Sequence, residues 1–201
     1  MATEAFLFDI GNVLVTFDFR VAAAGYKARS TCNGDPIELI SDLTVQLEDG
    51  RLPGAEFLPL AMERMGFEGT AQEFVSIWEE IFEPNQPVWD LVEQLQDRWP
   101  LHILSNTSDI HHQSLFRDFA IFSRFDSGVY SYAAGLAKPD PAIYAHTAEV
   151  LGIDPATTFY VDDLVENYEA GKAAGFDAFH YHPDRHEELL STLRERGVLH
   201  G

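Results

Sequence analysis

The stretch Ala5-Phe6-Leu7-Phe8-Asp9-Ile10-Gly11-Asn12 decides the fold of this 201-residue chain. Its first four residues form an unbroken apolar run, which is typical of a parallel strand covered by helices on both faces. Asp9 is the first polar residue after that run, and a turn-like Gly11-Asn12 follows it. Ligands of open α/β sheets bind just beyond the carboxyl ends of the strands, so Asp9 is placed for chemistry. A lone Asp here would more often cap the next helix.

Two further apolar runs end in polar residues. Ser105 follows the run 101–104, and Asp162-Asp163 follow the run 159–161. The carboxyl ends of parallel strands meet at one edge of a sheet. Polar groups at three such ends therefore favour one common site over three unrelated helix caps.

Helical and strand patterns alternate from residue 88 to residue 196. This alternation predicts an α/β fold with a doubly wound, Rossmann-like parallel sheet and right-handed crossovers. The predicted helices cover residues 88–98, 109–119, 141–151, 165–174 and 185–196, and the predicted strands cover 101–104, 125–129, 158–161 and 178–181.

The segment between Asp9 and Leu101 is too long for a single crossover helix of about a dozen residues. Its apolar spacing, with Pro and Gly as boundaries, predicts helices over 36–47, 55–65 and 70–82. We therefore assign residues 1–16 and 87–201 to the α/β domain and residues 17–86 to a small helical insert after the first strand.

Composition limits the partners and the compartment. A formal net charge of −20, with 13 Lys and Arg residues, argues against nucleic acid and against an anionic membrane as partner. Cys32 is the only cysteine, which excludes an internal disulfide and a cysteine-rich zinc site. No signal peptide is visible, and no apolar stretch approaches the ~20 residues of a membrane span. We expect a cytoplasmic protein, either a monomer or a homodimer.

Four stretches together resemble the haloacid dehalogenase-like hydrolases and occur in the order of that family. They are Phe8-Asp9-Ile10-Gly11-Asn12-Val13-Leu14, Leu104-Ser105-Asn106-Thr107, Lys138-Pro139-Asp140-Pro141 and Val161-Asp162-Asp163. The variant Gly11-Asn12-Val13 looks most like a bacterial branch of sugar-phosphate phosphatases that includes a glucose-1-phosphate phosphatase. The helical insert resembles the C1-type cap of the family.

The resemblance implies a Mg²⁺-dependent phosphomonoester hydrolase that acts on a small phosphorylated metabolite. Asp9 would be the nucleophile and form an aspartyl-phosphate, which splits one difficult displacement into two. Mg²⁺ prefers oxygen ligands. Asp9, the main-chain carbonyl of Gly11 and Asp163 are the expected metal ligands, with Asp162 bound directly or through water.

The same resemblance assigns the remaining site residues. Ser105 and Asn106 would bind the transferring phosphoryl group, and Lys138 would supply a positive charge to it and to Asp9. Arg51, in the charged turn 48–51, is expected to contact the leaving group, although a solvated helix connection explains that turn equally well. Asn167 is expected either to hydrogen-bond the acidic pair or to lie on a helix surface.

Gly11 departs from the family pattern, in which phosphatases carry a general acid two residues after the nucleophile. Loss of such a group typically slows catalysis by ~10²–10⁴-fold. His111, His112, Asp18 or a residue of the cap are the candidates to replace it. Two alternatives stay open: a 2-haloacid dehalogenase, and a weakened member that only binds phosphate.

Overall fold

A five-stranded parallel sheet forms the centre of the protein. The structure is a computed structural model that describes residues 2–199. The strands are β1 (Ala5–Phe8), β4 (Leu101–Ser105), β5 (Ser127–Tyr130), β6 (Thr158–Asp162) and β7 (Asp177–His180), in the spatial order β5-β4-β1-β6-β7. The predicted doubly wound α/β fold is confirmed.

The register of the sheet brings the polar strand ends together. Phe8 of β1 lies opposite Ile103 of β4 and Val161 of β6. Asp9 therefore follows directly after the central strand, and its main-chain N–H donates to the carbonyl of Val161 at 3.0 Å. Ser105 and Asp162 are the last residues of the two neighbouring strands. All three consequently reach the same edge of the sheet.

Helices cover both faces of this sheet, as its three fully buried central strands β4, β1 and β6 require. They are α6 (Gln86–Leu95), α7 (Asp109–Asp118), α8 (Ser131–Ala134), α9 (Pro141–Leu151), α10 (Val165–Ala173) and α11 (His186–Glu195). Most of them lie within two residues of the predicted ranges. None of the helices in residues 2–199 is long and apolar enough to cross a membrane.

The segment between β1 and α6 is mainly helical and has its own apolar cluster. Its helices are α1 (Phe19–Lys27), α2 (Pro36–Leu39), α3 (Ser41–Glu48), α4 (Gly54–Met65) and α5 (Ala71–Glu79). The prediction of one helix over 36–47 is wrong, because the chain leaves helical geometry at Ile40 (φ −109°, ψ 8°), whose side chain is buried. The domain bounds at 16/17 and 86/87 stay a prediction.

A short antiparallel sheet joins the two parts of the molecule. Strand β2 (Val15–Phe17) pairs with β3 (Phe82–Pro84), with Phe17 opposite Phe82. The predicted third helix of the insert, over 70–82, ends at Glu79, and its last predicted residue, Phe82, begins β3 instead. This pairing brings both ends of the helical segment to one place above the strand ends.

The cluster inside the helical segment predicts a clear contrast between two leucines. Leu43 of α3 is 5% exposed and Leu60 of α4 is 44% exposed. We expect Leu43→Ala to lower the free energy of unfolding by ~2–5 kcal/mol, because it removes buried methyl groups and leaves a cavity. Leu60→Ala should change it by about 0.5 kcal/mol or less. Urea denaturation measures both, and equal losses would contradict this packing.

Candidate active site

Residues from both parts of the molecule line a cavity of about 290 Å³ at the carboxyl edge of the sheet. Asp9, Gly11, Ser105, Asn106, Lys138, Asp163 and Asn167 of the expected set all contribute to its lining. Asp162 is fully buried, does not line the cavity and contacts its lining through Lys138 and Asn167. The structure thus brings together every predicted site residue except Arg51.

Lys138 holds the acidic residues of the site together. Its Nζ atom lies 3.0 Å from Asp9 Oδ1 and 2.6 Å from Asp162 Oδ2, and it also donates to the Leu104 carbonyl at 3.0 Å. The ammonium side chain is 1% exposed. Burial by itself lowers the pKa of Lys138, but the carboxylates of Asp162 and Asp9 outweigh burial and raise it. Lys138 is therefore a fixed positive charge.

Asn106 positions Lys138 through its main chain. The Asn106 side-chain amide donates to the Lys138 carbonyl at 2.9 Å and accepts from the Lys138 N–H at 2.8 Å. Both ends of the amide are therefore engaged, and the expected contact of this amide with the phosphate does not follow from the geometry. The Ser105 hydroxyl has only a long contact, 3.5 Å, to the Asn106 carbonyl. Ser105 is thus available to a ligand.

Asp162 and Asp163 are neighbours with different surroundings. Asp162 Oδ2 accepts from Lys138 and from the Tyr160 hydroxyl at 2.5 Å. Its Oδ1 accepts from the Leu164 N–H at 2.9 Å and from the Asn167 amide at 3.1 Å. Both oxygens of Asp162 are therefore saturated by protein donors.

Asp163 makes fewer hydrogen bonds to the protein than Asp162 does. Asn12, which has a left-handed backbone (φ 50°), donates its amide to Asp163 Oδ2 at 2.9 Å. Burial raises the pKa of Asp163, and this hydrogen bond opposes the rise. The other carboxylate oxygen, Oδ1, accepts no side-chain hydrogen bond within residues 2–199. Asn12 belongs to the first of the four quoted stretches, but its side chain had no predicted role.

The Asp9 side chain is almost fully buried, and Lys138 offsets only part of the cost of burying its negative charge. It is 7% exposed, and burial raises its pKa while the Lys138 ammonium opposes the rise. The contact of Asp9 Oδ1 with Lys138 has ion-pair distance but not hydrogen-bond geometry, so this buried oxygen lacks a directed hydrogen bond within residues 2–199. A nucleophilic carboxylate needs its charge stabilised without being capped by donors, and this environment meets that requirement.

These carboxylates fit a hard divalent cation. Ligand oxygens of Asp9, Asp162 and Asp163 lie within 4.8 Å of one another. Lys138 is the one Lys or Arg in the cavity lining of the described chain, so two negative charges stay uncompensated. Oxygen donors with an excess of negative charge suit Mg²⁺. The uncommitted oxygens belong to Asp9 and Asp163, and the saturated ones to Asp162.

Arg51 and two of the candidate acids lie away from the cavity. The Arg51 side chain is 63% exposed and pairs with Asp49, so its predicted role toward the substrate stays a prediction without support from the geometry. Asp18 caps α1 and pairs with Arg20. His112 lies outside the lining, stacks on Tyr130 with ring centroids 4.1 Å apart and contacts the Tyr132 hydroxyl.

Glu48 reaches the cavity from the helical segment. It is the last residue of α3 and lines the cavity together with Phe17, Phe19 and Phe82. In the sequence it is part of the same charged turn as Arg51, and Gly50 in that turn indicates a close approach of the main chain without indicating which side chain faces the cavity. A Cβ at position 50, where φ is 75°, would overlap the main-chain carbonyl of Tyr132, so glycine permits this turn to approach α8.

Comparison with known proteins gives consistent results. The model of the haloacid dehalogenase-like hydrolase family matches residues 3–175. A phosphatase from Mycobacterium tuberculosis is 26% identical over 193 residues, which cover 89% of this chain and 87% of that protein. A haloacid dehalogenase family enzyme from Bacteroides thetaiotaomicron, solved as a magnesium complex, superposes with a TM-score of 0.82 at 26% identity, covering 91% of this chain and 95% of that one.

Two more solved structures extend this comparison. The wild-type Bacteroides enzyme, in complex with magnesium and inorganic phosphate, has a TM-score of 0.81 over 89% of this chain and 93% of its own. A protein from Porphyromonas gingivalis described as a predicted haloacid dehalogenase-like hydrolase, 23% identical, matches in fold with a TM-score of 0.81 over 96% and 99% of the two chains. Because the family model covers most of its length, the chain belongs to the haloacid dehalogenase-like hydrolases.

Proposed function

We propose that this protein is a Mg²⁺-dependent phosphomonoester hydrolase that acts on a small phosphorylated metabolite through a covalent intermediate on Asp9. One observation carries the proposal: Asp9 follows the central strand beside a fixed ammonium, in a carboxylate cluster with too little positive charge. The phosphatase from Mycobacterium tuberculosis and the magnesium- and phosphate-bound Bacteroides enzyme support the same chemistry.

The first step is attack by an Asp9 carboxylate oxygen on phosphorus, and the bond from phosphorus to the leaving oxygen breaks. Lys138 compensates charge on Asp9 and on the transferring oxygens, since electrostatic stabilisation by preorganised groups is a large part of such catalysis. The Ser105 hydroxyl lines the cavity and donates to a phosphoryl oxygen. Mg²⁺, when bound by Asp9, the Gly11 carbonyl and Asp163, adds positive charge against nucleophile–phosphate repulsion.

The lining of the cavity also indicates which kind of leaving group it accommodates. Aromatic and aliphatic side chains form much of its wall, including Phe17, Phe19, Phe82, Leu115 and Leu164. A leaving group with an apolar face packs well there, and the ring of a sugar presents C–H groups of this kind. A sugar phosphate therefore stays our proposal for the substrate class. The cytoplasmic location and the choice between monomer and homodimer stay predictions.

The charge balance favours this function over the two alternatives. A 2-haloacid dehalogenase attacks carbon and needs no cation, whereas this cluster leaves two negative charges uncompensated. A protein that only binds phosphate needs no nucleophile at the strand end. Hydrolysis of a phosphomonoester panel with Mg²⁺, compared with 2-haloacids without it, separates the three functions.

The nucleophile is tested by Asp9→Asn. We expect turnover to fall to background, because an amide does not attack phosphorus. The thermal midpoint without metal should fall by less than in Asp162→Asn, since burial disfavours the Asp9 carboxylate in the folded state and Lys138 keeps its shorter ion pair with Asp162. Asp97→Asn, at an exposed position, is the matched control and should keep full activity. Beryllium fluoride should form its adduct on Asp9, and an adduct on another residue would refute the mechanism.

Substitution of Asp162 and of Asp163 by asparagine should have different effects, one on stability and the other on Mg²⁺ binding. We expect Asp163→Asn to weaken Mg²⁺ binding, measured by titration calorimetry, by more than the ~10–100-fold typical of a residue that only supports a ligand. Asp162→Asn should instead lower the free energy of unfolding by ~3–5 kcal/mol, because it removes a buried partner of Lys138. If Asp162→Asn instead weakens Mg²⁺ binding and Asp163→Asn lowers stability, Asp162 is the metal ligand and Asp163 the structural partner. Turnover that does not depend on Mg²⁺ would refute the metal requirement.

A further inference from the structure

The position that carries the general acid in related phosphatases is closed by an aromatic ring. A Cβ at Gly11 would lie 3.0 Å from Cε1 of Phe17, with two more atoms of the same ring within 4.0 Å. A side chain longer than hydrogen at position 11 would therefore have to push the Phe17 ring aside, and Gly11 itself carries no group that could donate a proton. A proton for the leaving oxygen has to come from elsewhere in the cavity.

Most titratable side chains in the cavity lining are unsuited to donate this proton to the leaving oxygen. Asp9 and Asp163 belong to the nucleophile and metal site, and Lys138 is committed to two carboxylates. His111 lies between the ring edges of Trp78 and Phe82, and burial lowers its pKa to about 4. A neutral imidazole of this kind holds no ionisable proton to donate near neutral pH.

Glu48 is the remaining carboxyl group of the lining. It also lines two smaller neighbouring cavities, of about 200 and 220 Å³, so it lies where the three spaces meet. Within residues 2–199 no Lys or Arg pairs with Glu48, and no donor satisfies its carboxylate. Burial, with the charge of Asp49 adding to it, raises the pKa of Glu48 to about 7. Glu48 is therefore suited to hold and to release a proton near neutral pH.

The main chain holds Glu48 in place over the strand ends. The buried hydroxyl of Ser131, the first residue of α8, donates to the Glu48 carbonyl at 2.5 Å. The same hydroxyl accepts from the Thr107 N–H at 2.9 Å. Thr107 belongs to the loop that follows Ser105, so the Ser131 side chain connects the main chain of Glu48 to the loop next to the expected phosphate site.

We propose that Glu48, supplied by the helical segment, is the general acid and base of the hydrolysis, in place of the residue missing at Gly11. This inference rests on the function proposed above. As Asp9 attacks phosphorus, the bond to the leaving oxygen breaks, and that oxygen keeps the electron pair and takes the proton of Glu48. The alcohol then departs, and Glu48 is a carboxylate.

The second half of the reaction restores both residues. The Glu48 carboxylate takes a proton from water, and the water oxygen attacks the phosphorus of the aspartyl-phosphate. The bond between phosphorus and the Asp9 oxygen breaks, and its electron pair returns to the Asp9 carboxylate. Inorganic phosphate leaves, and Glu48 is protonated again. One water is consumed for each alcohol and phosphate released.

The test compares two esters in the variant Glu48→Gln with Mg²⁺ present. With an alkyl phosphate, whose alcohol needs a proton to depart, we expect the single-turnover rate to fall by ~10²–10⁴-fold. With p-nitrophenyl phosphate, whose leaving group departs unprotonated, we expect a loss of less than about tenfold in that step. Nitrophenol should then appear as a burst followed by a slow steady state, because attack of water on the aspartyl-phosphate also lacks its base.

Two controls separate catalysis from structure. Glu63→Gln makes the same chemical change at an exposed position of α4 and should leave both rates unchanged. Glu48→Ala should recover part of its rate with added formate, which replaces the missing carboxyl group. Circular dichroism and the thermal midpoint report whether each variant is folded.

The results distinguish a failure of the proposed phosphatase function from a failure of the proposed role of Glu48. If the wild type with Mg²⁺ hydrolyses neither these esters nor any member of the phosphomonoester panel, the proposed function is wrong and the role of Glu48 falls with it. If the wild type is active but folded Glu48→Gln keeps its rate with the alkyl phosphate, or loses the same factor with both esters and shows no burst, Glu48 is not the acid and the phosphatase function stands.

Discussion

The contact of one ammonium group with two carboxylates is the constraint on which the site depends. Lys138 is buried between Asp9 and Asp162, and each of these charges would be costly without the others. Their mutual placement has to be accurate, because an ion pair offsets its desolvation only with good geometry and satisfied hydrogen bonds. Asn106 provides that accuracy by holding the main chain of Lys138 on both sides.

This constraint also explains why two adjacent aspartates differ. Asp162 is the last residue of β6, and alternate residues of a strand point to the same face. Tyr160 is therefore on the same side as Asp162 and donates to it, while Asp163 turns toward the cavity and Asn12. One aspartate completes the structural ion pair, and the other keeps an oxygen available. The excess negative charge that results is what a divalent cation and Lys138 together have to balance.

The sequence predicted the sheet and its polar edge well because those signals are local. An apolar run followed by Asp9 or Ser105 specifies both a buried strand and its end. The antiparallel pair β2–β3 was missed, since strands of three residues show no periodicity. The choice of Arg51 over Glu48 has a similar cause: a cation is the natural partner of a phosphate, but Asp49 two residues away binds the guanidinium. Which side chain of a turn faces inward depends on docking against α8, and the local sequence does not encode it directly.

A general acid on the helical segment, as we propose for Glu48, makes catalysis depend on the position of that segment. An acid beside the nucleophile would not have this dependence. A carboxyl group two residues after Asp9 would be present whenever the sheet is folded. Glu48 reaches the cavity only while its turn rests on α8 through Ser131 and the close approach at Gly50. Protonation of the leaving group then requires that the helical segment is seated over the strand ends. Because the same seating surrounds the cavity with Phe17, Phe19 and Phe82, we expect it to limit water in the site during the proposed proton transfer. Substrate enclosure and acid–base chemistry thus depend on one contact between the two parts of the molecule.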